Sequence, residues 1–281
     1  MADDVAVLVS DLRKRYGDTC AVDGVELEIH RGEVFALLGP NGAGKTTTVE
    51  ILEGFRRRDG GAAEVLGEDP GRAGRAWRAR IGIVLQLASA GPELTVREMV
   101  RHFAGFYPQP RDPDEVIALV GLDEQAGHRI SALSGGQARR VDVALGIVGR
   151  PELLFLDEPT TGFDPQARRQ FWELIRTLTA DGVTILLTTH YLDEAEALAG
   201  RLAVLAGGRV VATGTPAALG GEDRPTWVSW DTPGGRRAVQ TSTPTRVIAD
   251  LARQAGGEVP GLTVTRPTLE DTYLKLIGDQ S

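Results

Sequence analysis

The stretch Gly39-Pro40-Asn41-Gly42-Ala43-Gly44-Lys45-Thr46 decides the fold of this 281-residue chain. It fits the phosphate-loop pattern, in which Gly-x4-Gly-Lys is followed by serine or threonine. Glycines let successive backbone N–H groups turn toward phosphate oxygens that side chains would otherwise block. The apolar run Val34–Leu38 precedes the loop and a helical segment follows it, as expected for a buried parallel strand and a phosphate-binding helix. The sequence therefore predicts a nucleotide-binding α/β domain.

Lys45 and the neighbouring loop residues are the candidate phosphate ligands. Lys45 would reach the β- and γ-phosphates, and the Thr46 hydroxyl would ligate Mg²⁺. An ordinary glycine-rich turn is the alternative, but the chain has only three lysines, and one of them stands where the pattern needs it. The predicted nucleotide contacts in this loop are Gly39, Pro40, Asn41, Gly42, Ala43, Gly44, Lys45, Thr46 and Thr47.

A second apolar run, residues 153–156, ends in the adjacent carboxylates Asp157 and Glu158. A buried strand rarely ends in two acids without cations to pair with them. We expect Asp157 to hold Mg²⁺ through its hydration shell and Glu158 to polarise a water molecule aimed at the γ-phosphate. A solvated strand end is the alternative for such a pair, and the presence of the phosphate loop favours the catalytic interpretation.

The run Leu133-Ser134-Gly135-Gly136-Gln137 has capping-box spacing and precedes a helical segment. Ser134 at the N-cap, followed by two glycines, would leave exposed N–H groups and a positive helix end directed outward. We therefore predict a second phosphate-binding surface at Ser134, Gly135, Gly136 and Gln137. No phosphate of the same domain is expected there. An ordinary capped helix is the alternative.

Two domains are expected along the chain. Strands that alternate with helices predict an open parallel sheet with a helical insertion. The predicted domains are residues 1–215, with a helical subdomain at about residues 87–150, and a small C-terminal domain at residues 216–281. Pro216 and Pro225 mark the linker between them. Because about sixty residues seldom bury enough apolar surface to fold alone, the C-terminal part is expected to pack on the main domain or on a partner.

Charge, cysteine content and hydropathy argue against several classes of protein. The net charge of −8 argues against a general nucleic-acid binder, which would need a basic face, so no nucleic-acid partner is expected. Cys20 is the sole cysteine, which rules out an internal disulfide and predicts a reducing compartment. No run approaches the roughly 20 apolar residues that cross a bilayer, so the sequence predicts no membrane span.

Taken in order, the motifs resemble those of ABC-type ATPases over about residues 5–215. They are the phosphate loop, Gln86 after a strand, the signature at residues 133–137, the acidic strand end at residues 157–158, the run at residues 160–164, and His190 after another strand. The resemblance implies an α/β phosphate-loop NTPase (RecA-like) core. It also implies an N-terminal antiparallel β part and a helical signature subdomain. Alternation at residues 226–230 and helical spacing at residues 246–255 predict that the small C-terminal appendage is α+β.

The same resemblance assigns further roles. It implies that Tyr16 stacks on adenine, that Gln86 contacts Mg²⁺ and the attacking water, and that His190 hydrogen-bonds the γ-phosphate. Asp164 would serve as an N-cap and as a contact across a dimer. The basic run at residues 56–58 is expected to form a solvated face, and the other three histidines receive no role.

The cofactors implied are ATP and Mg²⁺. The residues expected to bind the metal are Thr46, Gln86 and Asp157. The residues expected to act in catalysis are Glu158, His190 and Gln86. In ABC-type ATPases each ATP lies between the phosphate loop of one domain and the signature of another. A homodimer, formed with a second copy of this chain, is therefore expected.

The layout is similar to the ATPase subunits of bacterial exporters of the daunorubicin-resistance type, whose tails resemble residues 267–271. This implies an ATP-hydrolysing subunit that powers drug or small-molecule efflux from the cytoplasmic face of the membrane. A separate transmembrane permease would dock near residues 88–100. Two alternatives remain, an importer ATPase with the same catalytic motifs and a soluble ABC protein acting on nucleic acid or ribosomes.

Overall fold

The computed structural model describes residues 4–84, 93–220, 225–266 and 268–278. The chain forms two compact units, Met1–Thr213 and Gly214–Ser281, here called unit 1 and unit 2. The strands of unit 1 are β1 (Val5–Tyr16), β2 (Thr19–His30), β3 (Val34–Leu38), β4 (Gly60–Val65), β5 (Ile81–Val84), β6 (Leu153–Asp157), β7 (Thr184–Thr189), β8 (Arg201–Ala206) and β9 (Arg209–Gly214). Its helices are α1 (Lys45–Leu52), α2 (Arg75–Arg78), α3 (Val96–Ala104), α4 (Pro113–Leu119), α5 (Gly135–Ile147), α6 (Pro165–Ala180) and α7 (Leu192–Leu198).

The central sheet of unit 1 has the strand order β5-β6-β7-β3-β8-β9. β3 pairs in parallel with β7 and β8, and β5, β6 and β7 are also parallel neighbours. Every residue of β3 and β7 is buried, because helices cover both faces of such a sheet and the strands become continuous apolar runs. The predicted α/β phosphate-loop NTPase core is confirmed.

An antiparallel sheet of order β2-β1-β4 forms the N-terminal part of unit 1. Its strands β1 and β2 are each 12 residues long. Bulges between Val9 and Leu12 break the register of β1, so its apolar residues do not follow one simple alternation. The buried side chains of this sheet belong to the same apolar core as Phe35 and Leu37 of β3.

The helical segment between β5 and β6 begins each of its longer helices with a local cap. Thr95 and Glu98 form a capping box on α3, and the Asp112 carboxylate caps α4, in which Pro113 is the first residue. Helix α5 approaches β5 closely at Gly146. A Cβ at this position would meet Val84 Cγ2 at 2.8 Å, so glycine is what permits the contact.

Unit 2 is a small α+β unit. It contains α8 (Pro216–Gly220), β10 (Thr226–Thr232), β11 (Gly235–Thr241), α9 (Pro244–Ala255), β12 (Thr263–Thr265) and α10 (Leu269–Gly278). β10 is the middle strand of an antiparallel sheet of order β11-β10-β12. Val228 of β10 is fully buried and its neighbour Trp227 is half exposed, as expected for a sheet with one covered face.

Across the ranges that the structure describes, the helices are all too short or too polar to traverse a bilayer.

Candidate active site

The site lies at the carboxyl ends of three neighbouring parallel strands. The phosphate loop follows β3, Asp157 and Glu158 end β6, and His190 follows β7. The strand register places Leu38 beside Thr189 and Asp157 beside Thr188, so the loop, the two acids and the histidine meet at one edge. Ligands of open α/β sheets bind at this edge.

The phosphate loop is built so that it must contain glycine. Gly44 has a φ of 102°, a left-handed value that disfavours other residues, and a Cβ there would meet the Ala21 carbonyl oxygen at 2.2 Å. Gly44 is also the N-cap of α1. The first amides of α1, including those of Lys45, Thr46 and Thr47, therefore face the loop, because no carbonyl of a preceding helical turn accepts their hydrogen bonds. The loop can thus surround an anion with backbone donors.

Lys45 is the cation of the site, and its side chain is only 6% exposed. Its Nζ donates hydrogen bonds to the carbonyl oxygens of Gly39 (2.7 Å) and Pro40 (3.2 Å) and lies 3.9 Å from Oε1 of Glu158. Burial lowers the pKa of Lys45, and the nearby charges of Glu158 and Asp157 partly oppose that shift. Lys45 is thus the cation that Asp157 and Glu158 were predicted to need.

Glu158 leaves the strand on a bent backbone. Its φ is 43°, and its amide donates to both the carbonyl and the hydroxyl oxygen of Thr188, each at 3.1 Å. The carboxylate is 14% exposed, and its Oε1 lies 3.2 Å from Nδ1 of His190. Two bonds to Thr188 therefore hold a strained residue in place and direct its carboxylate between Lys45 and His190.

Asp157 and Thr46 offer the oxygen ligands that Mg²⁺ prefers. Thr188 donates its hydroxyl to Oδ1 of Asp157, which fixes the orientation of that carboxylate. Among the residues described, no group of three histidine, cysteine or acidic side chains forms a metal cage. Mg²⁺ that binds together with phosphates usually takes one or two protein ligands and completes its shell with phosphate and water. The donors at this edge fit such a site.

The signature residues line a separate cleft of about 450 Å³ together with residues 162–164. Ser134 caps α5: its Oγ accepts from the Gln137 amide, and Gln137 Oε1 accepts from the Ser134 amide. These two amides are therefore used within the cap, and the N–H groups left to face the cleft are those of Gly135 and Gly136. Ser134 and Gln137, which also line the cleft, would contribute to the predicted donor surface through the Ser134 hydroxyl and the Gln137 side-chain NH2.

A second helix begins at the same cleft. Asp164 caps α6 by accepting from the amides of Gln166 and Ala167, each at 2.8 Å. The positive ends of α5 and α6 thus meet in one cavity. Within the described chain, none of residues 39–47 lines this cavity. The structure therefore brings together Lys45, Asp157, Glu158 and His190, but not the signature residues.

Tyr16 ends β1 with its ring 42% exposed. Cζ of Arg56 lies 5.3 Å from the ring centroid and Nζ of Lys14 lies 5.6 Å from it, both within cation–π range. Arg56 is held by an ion pair to Glu50 of α1 at 2.5 Å. The basic run predicted as a solvated face is therefore only partly solvated at Arg56, whose side chain is 34% exposed and is paired with a carboxylate six residues away and with a ring from β1.

Several residues of the site carry no signal in the sequence. Arg139, 8% exposed, donates to the backbone carbonyls of Pro159 (3.2 Å) and Asp157 (3.0 Å), and so joins α5 to the end of β6. Thr188 orients both acids. These residues are recognised only when the tertiary contacts are known. Gln86, predicted to contact Mg²⁺ and water, lies outside the described residues.

Comparisons with known proteins agree with this geometry. The family model described as ABC transporter matches residues 22–161. A daunorubicin resistance ATP-binding protein, DrrA3, from Streptomyces coeruleorubidus is 38% identical over 98% of this chain and 97% of the relative. A Nod factor export ATP-binding protein I from Ralstonia nicotianae (strain ATCC BAA-1114 / GMI1000) is 39% identical over 96% of this chain and 93% of the relative.

Solved structures show the same architecture. A dimeric ATP-binding cassette in a post-hydrolysis state, bound to ADP and Pi, is 25% identical with a TM-score of 0.67 over 74% of this chain and 98% of that chain. The resemblance inferred from the motifs is confirmed. The chain belongs to the ABC transporter family and is an ATP-binding cassette ATPase.

Proposed function

We propose that this chain is the ATP-hydrolysing subunit of a membrane exporter and acts as a head-to-tail dimer on a separate transmembrane permease. The names of the two relatives, one for daunorubicin resistance and one for Nod factor export, support transport out of the cell. In this proposal residues 1–215 are the ATPase domain and residues 216–281 an accessory domain. The dimer lies on the cytoplasmic face of the membrane and drives efflux of a small molecule.

The carboxyl ends of β3, β6 and β7, here called the catalytic edge, support a separate role for each group that lies there. The loop amides of residues 39–47 bind the phosphates, and Lys45 Nζ exchanges the carbonyls of Gly39 and Pro40 for phosphate oxygens. Glu158 accepts the proton of the attacking water, since its carboxylate lies at the strand tip beside Lys45 and His190. The contact with Glu158 orients the imidazole of His190 toward the γ-phosphate.

Thr46 and Asp157 would hold Mg²⁺, and the sequence adds Gln86 to this set. When bound, the ion neutralises charge on the β- and γ-phosphates as it accumulates during transfer. The chain's own part in this step is orientation: the Thr188 hydroxyl keeps the Asp157 carboxylate turned to the edge. Tyr16, at the end of β1, provides the aromatic surface for adenine.

The observation that supports a dimer is that the chain has two separate sets of phosphate-binding groups. One set surrounds Lys45, and the other is the cleft where the N-termini of α5 and α6 meet, lined by none of residues 39–47 in the described structure. A second copy, placed head to tail, brings its own phosphate to that cleft. Ser134, Gly135, Gly136 and Gln137 then complete the partner's site, with Asp164 as a contact across the seam.

Mixed dimers test this arrangement. Lys45→Ala removes the phosphate-loop cation, and Ser134→Arg fills the cleft of the signature, so each variant alone should lose nearly all hydrolysis. Mixing the two purified chains should restore about a quarter of wild-type activity, because half of randomly paired dimers are mixed and one of their two sites is intact. Phosphate release on titrating one variant with the other measures this. Full activity of either variant alone, or no recovery on mixing, would overturn the dimer.

The permease is tested separately. The tagged wild-type chain, recovered from detergent-solubilised membranes, should bring down a polytopic membrane protein, and the pair in vesicles should export substrate only with ATP. Recovery with ribosomes or RNA instead would favour a soluble ABC protein, and net uptake by the pair would favour an importer.

A further inference from the structure

Behind the catalytic edge lies a carboxyl group that the mechanism does not use. Glu194, in α7, is completely buried, with 0% of its surface exposed. Isolated buried carboxyls are costly, and they are retained where neighbouring donors compensate for the lost water. The neighbours of Glu194 therefore indicate what it does.

Donors from three parts of unit 1 surround this carboxyl. Burial raises the pKa of Glu194, while the nearby donor groups of Thr189, Thr160 and Trp172 and the charge of Arg168 oppose that shift. Thr160 belongs to the loop after β6, Thr189 ends β7, and Trp172 and Arg168 lie in α6. A single side chain thus faces the ends of two central strands and a helix.

The donors are near the carboxyl but not in regular hydrogen-bond geometry. Among the described residues, both Glu194 oxygens, Thr160 Oγ1, Trp172 Nε1 and Arg168 Nε are buried without a partner of regular geometry. Orphaned buried donors and acceptors in one place are rare in native proteins. The carboxyl of Glu194 therefore lies among donors from the Thr160 loop, the end of β7 and α6 that are available to bond to it.

Both strand ends carry a proposed catalytic group. Thr160 follows Glu158 by two residues, and Thr189 directly precedes His190. The imidazole is also linked to α6: its centroid is 4.1 Å from that of Tyr191, over which the Arg168 guanidinium lies at 5.0 Å. The residues around Glu194 are therefore direct neighbours, in the chain or through Tyr191, of both Glu158 and His190.

We propose that Glu194 is a positioning residue for ATP hydrolysis, whose carboxyl holds the Thr160 loop and the Thr189 strand end at the separation that brings Glu158 against His190. The inference rests on the proposed roles of Glu158 and His190. Glu194 is completely buried and so exposes no group to a nucleotide, and its loss should therefore affect the chemical step and leave ATP binding intact.

Three variants and a matched control test the proposal. Thr160→Val removes one donor without changing the side-chain volume, Glu194→Gln keeps an acceptor in the same place, and Glu194→Ala removes the link. Glu196→Ala is the control, since Glu196 lies on the same helix with an exposed side chain. The measurements are kcat and KM for ATP by phosphate release, with thermal unfolding of each variant.

Thr160→Val and Glu194→Ala should lower kcat by about 10-fold with KM within about twofold of wild type, whereas Glu194→Gln should keep at least about half of kcat. Wild-type kcat in Thr160→Val, or a KM that rises as kcat falls, would overturn the proposal. If Glu194→Ala does not fold, Thr160→Val and Glu194→Gln decide. If Glu158→Gln hydrolyses ATP like wild type, the proposed function fails first, and Glu194 loses its role with it.

Discussion

The Nδ1 atom of His190 lies 3.2 Å from Oε1 of Glu158, although 32 residues separate them in the chain. The contact exists because β6 and β7 are adjacent parallel strands that end at the same level. Nζ of Lys45 lies 3.9 Å from the same oxygen. Lys45 comes shortly after β3, which is the other neighbour of β7 in the sheet. Three strand ends, rather than one continuous motif, therefore make up the edge at which we propose that catalysis takes place.

Glu158→Gln should lower ATP hydrolysis by about 10²-fold or more, because an amide cannot accept the proton of the attacking water. The side chain keeps its size, so ATP binding should remain within about threefold of wild type and the ATP-bound dimer should persist. Phosphate release, nucleotide titration and size-exclusion chromatography with ATP measure the three effects. Glu173→Gln, whose side chain is 72% exposed, controls for the loss of a charge. Unchanged turnover would remove Glu158 as the base.

Tyr16→Ala should weaken ATP binding by about 10-fold, because the aromatic surface for adenine is lost. Inorganic triphosphate binds only through the phosphate loop, so its affinity should not change, whereas Lys45→Ala should weaken both ligands. Isothermal titration with each ligand makes the comparison. Tyr16→Trp, which keeps an aromatic face, should bind ATP nearly as wild type does. An equal loss for ATP and triphosphate in Tyr16→Ala would place the ring outside the base site.

Glu53→Gln should stabilise the protein in alkaline solution. Glu53 is 8% exposed at the end of α1; burial, with the charges of Asp157 and Glu50, raises its pKa from 4.5 to about 8. The folded state thus binds this proton more tightly than the unfolded state, so the contribution of Glu53 to stability falls as the pH rises from about 4.5 to about 8.

The variant's advantage over wild type should therefore be larger at pH 8 than at pH 5, on the order of 1 kcal/mol or more in the free energy of unfolding. Denaturant unfolding at both pH values measures it. Glu64→Gln, an exposed carboxylate of β4, is the control. An advantage of the same size at pH 5 and pH 8 would contradict the linkage.

Arg139→Met should loosen α5 from the catalytic edge. The substitution keeps much of the volume but removes the donors that reach the carbonyls of Asp157 and Pro159. Leaving those acceptors unpaired should cost about 1–3 kcal/mol of stability and lower kcat. Thermal unfolding and phosphate release are the measurements, with Arg72→Met, at 88% exposure, as the control. A melting temperature equal to that of Arg72→Met would show that the link is not needed.

Local chemistry explains what could be predicted from the sequence. The strand Val34–Leu38, the helix that follows the phosphate loop and the cap at Ser134 occur as predicted. Each depends on residues within a few positions of one another, namely an apolar run, a glycine turn or a capping side chain. The order of the motifs then identified the α/β core.

Contacts between distant parts of the chain could not be predicted. Arg139 resembles any arginine of an amphipathic helix, and its buried bonds to the end of β6 follow from how α5 packs. Arg56 lies in a basic run that looks solvated until β1 brings Tyr16 beside it. Glu194 likewise sits in an acidic helix, and its complete burial depends on the packing of α6 and β7. Tertiary packing determines all three.

Asp157 and Glu158 are neighbours in sequence, but their backbones are constrained in different ways. Asp157 is the last residue of β6 and keeps the strand's pairing with Thr188, whereas Glu158 turns off the strand with a left-handed backbone. A residue inserted just before them would move Asp157 onto the bend and Glu158 into the loop, whereas a deletion would place Glu158 at the last position of the strand. The junction between β6 and the following loop therefore requires a fixed length, because each carboxylate keeps its position only when the strand ends at Asp157.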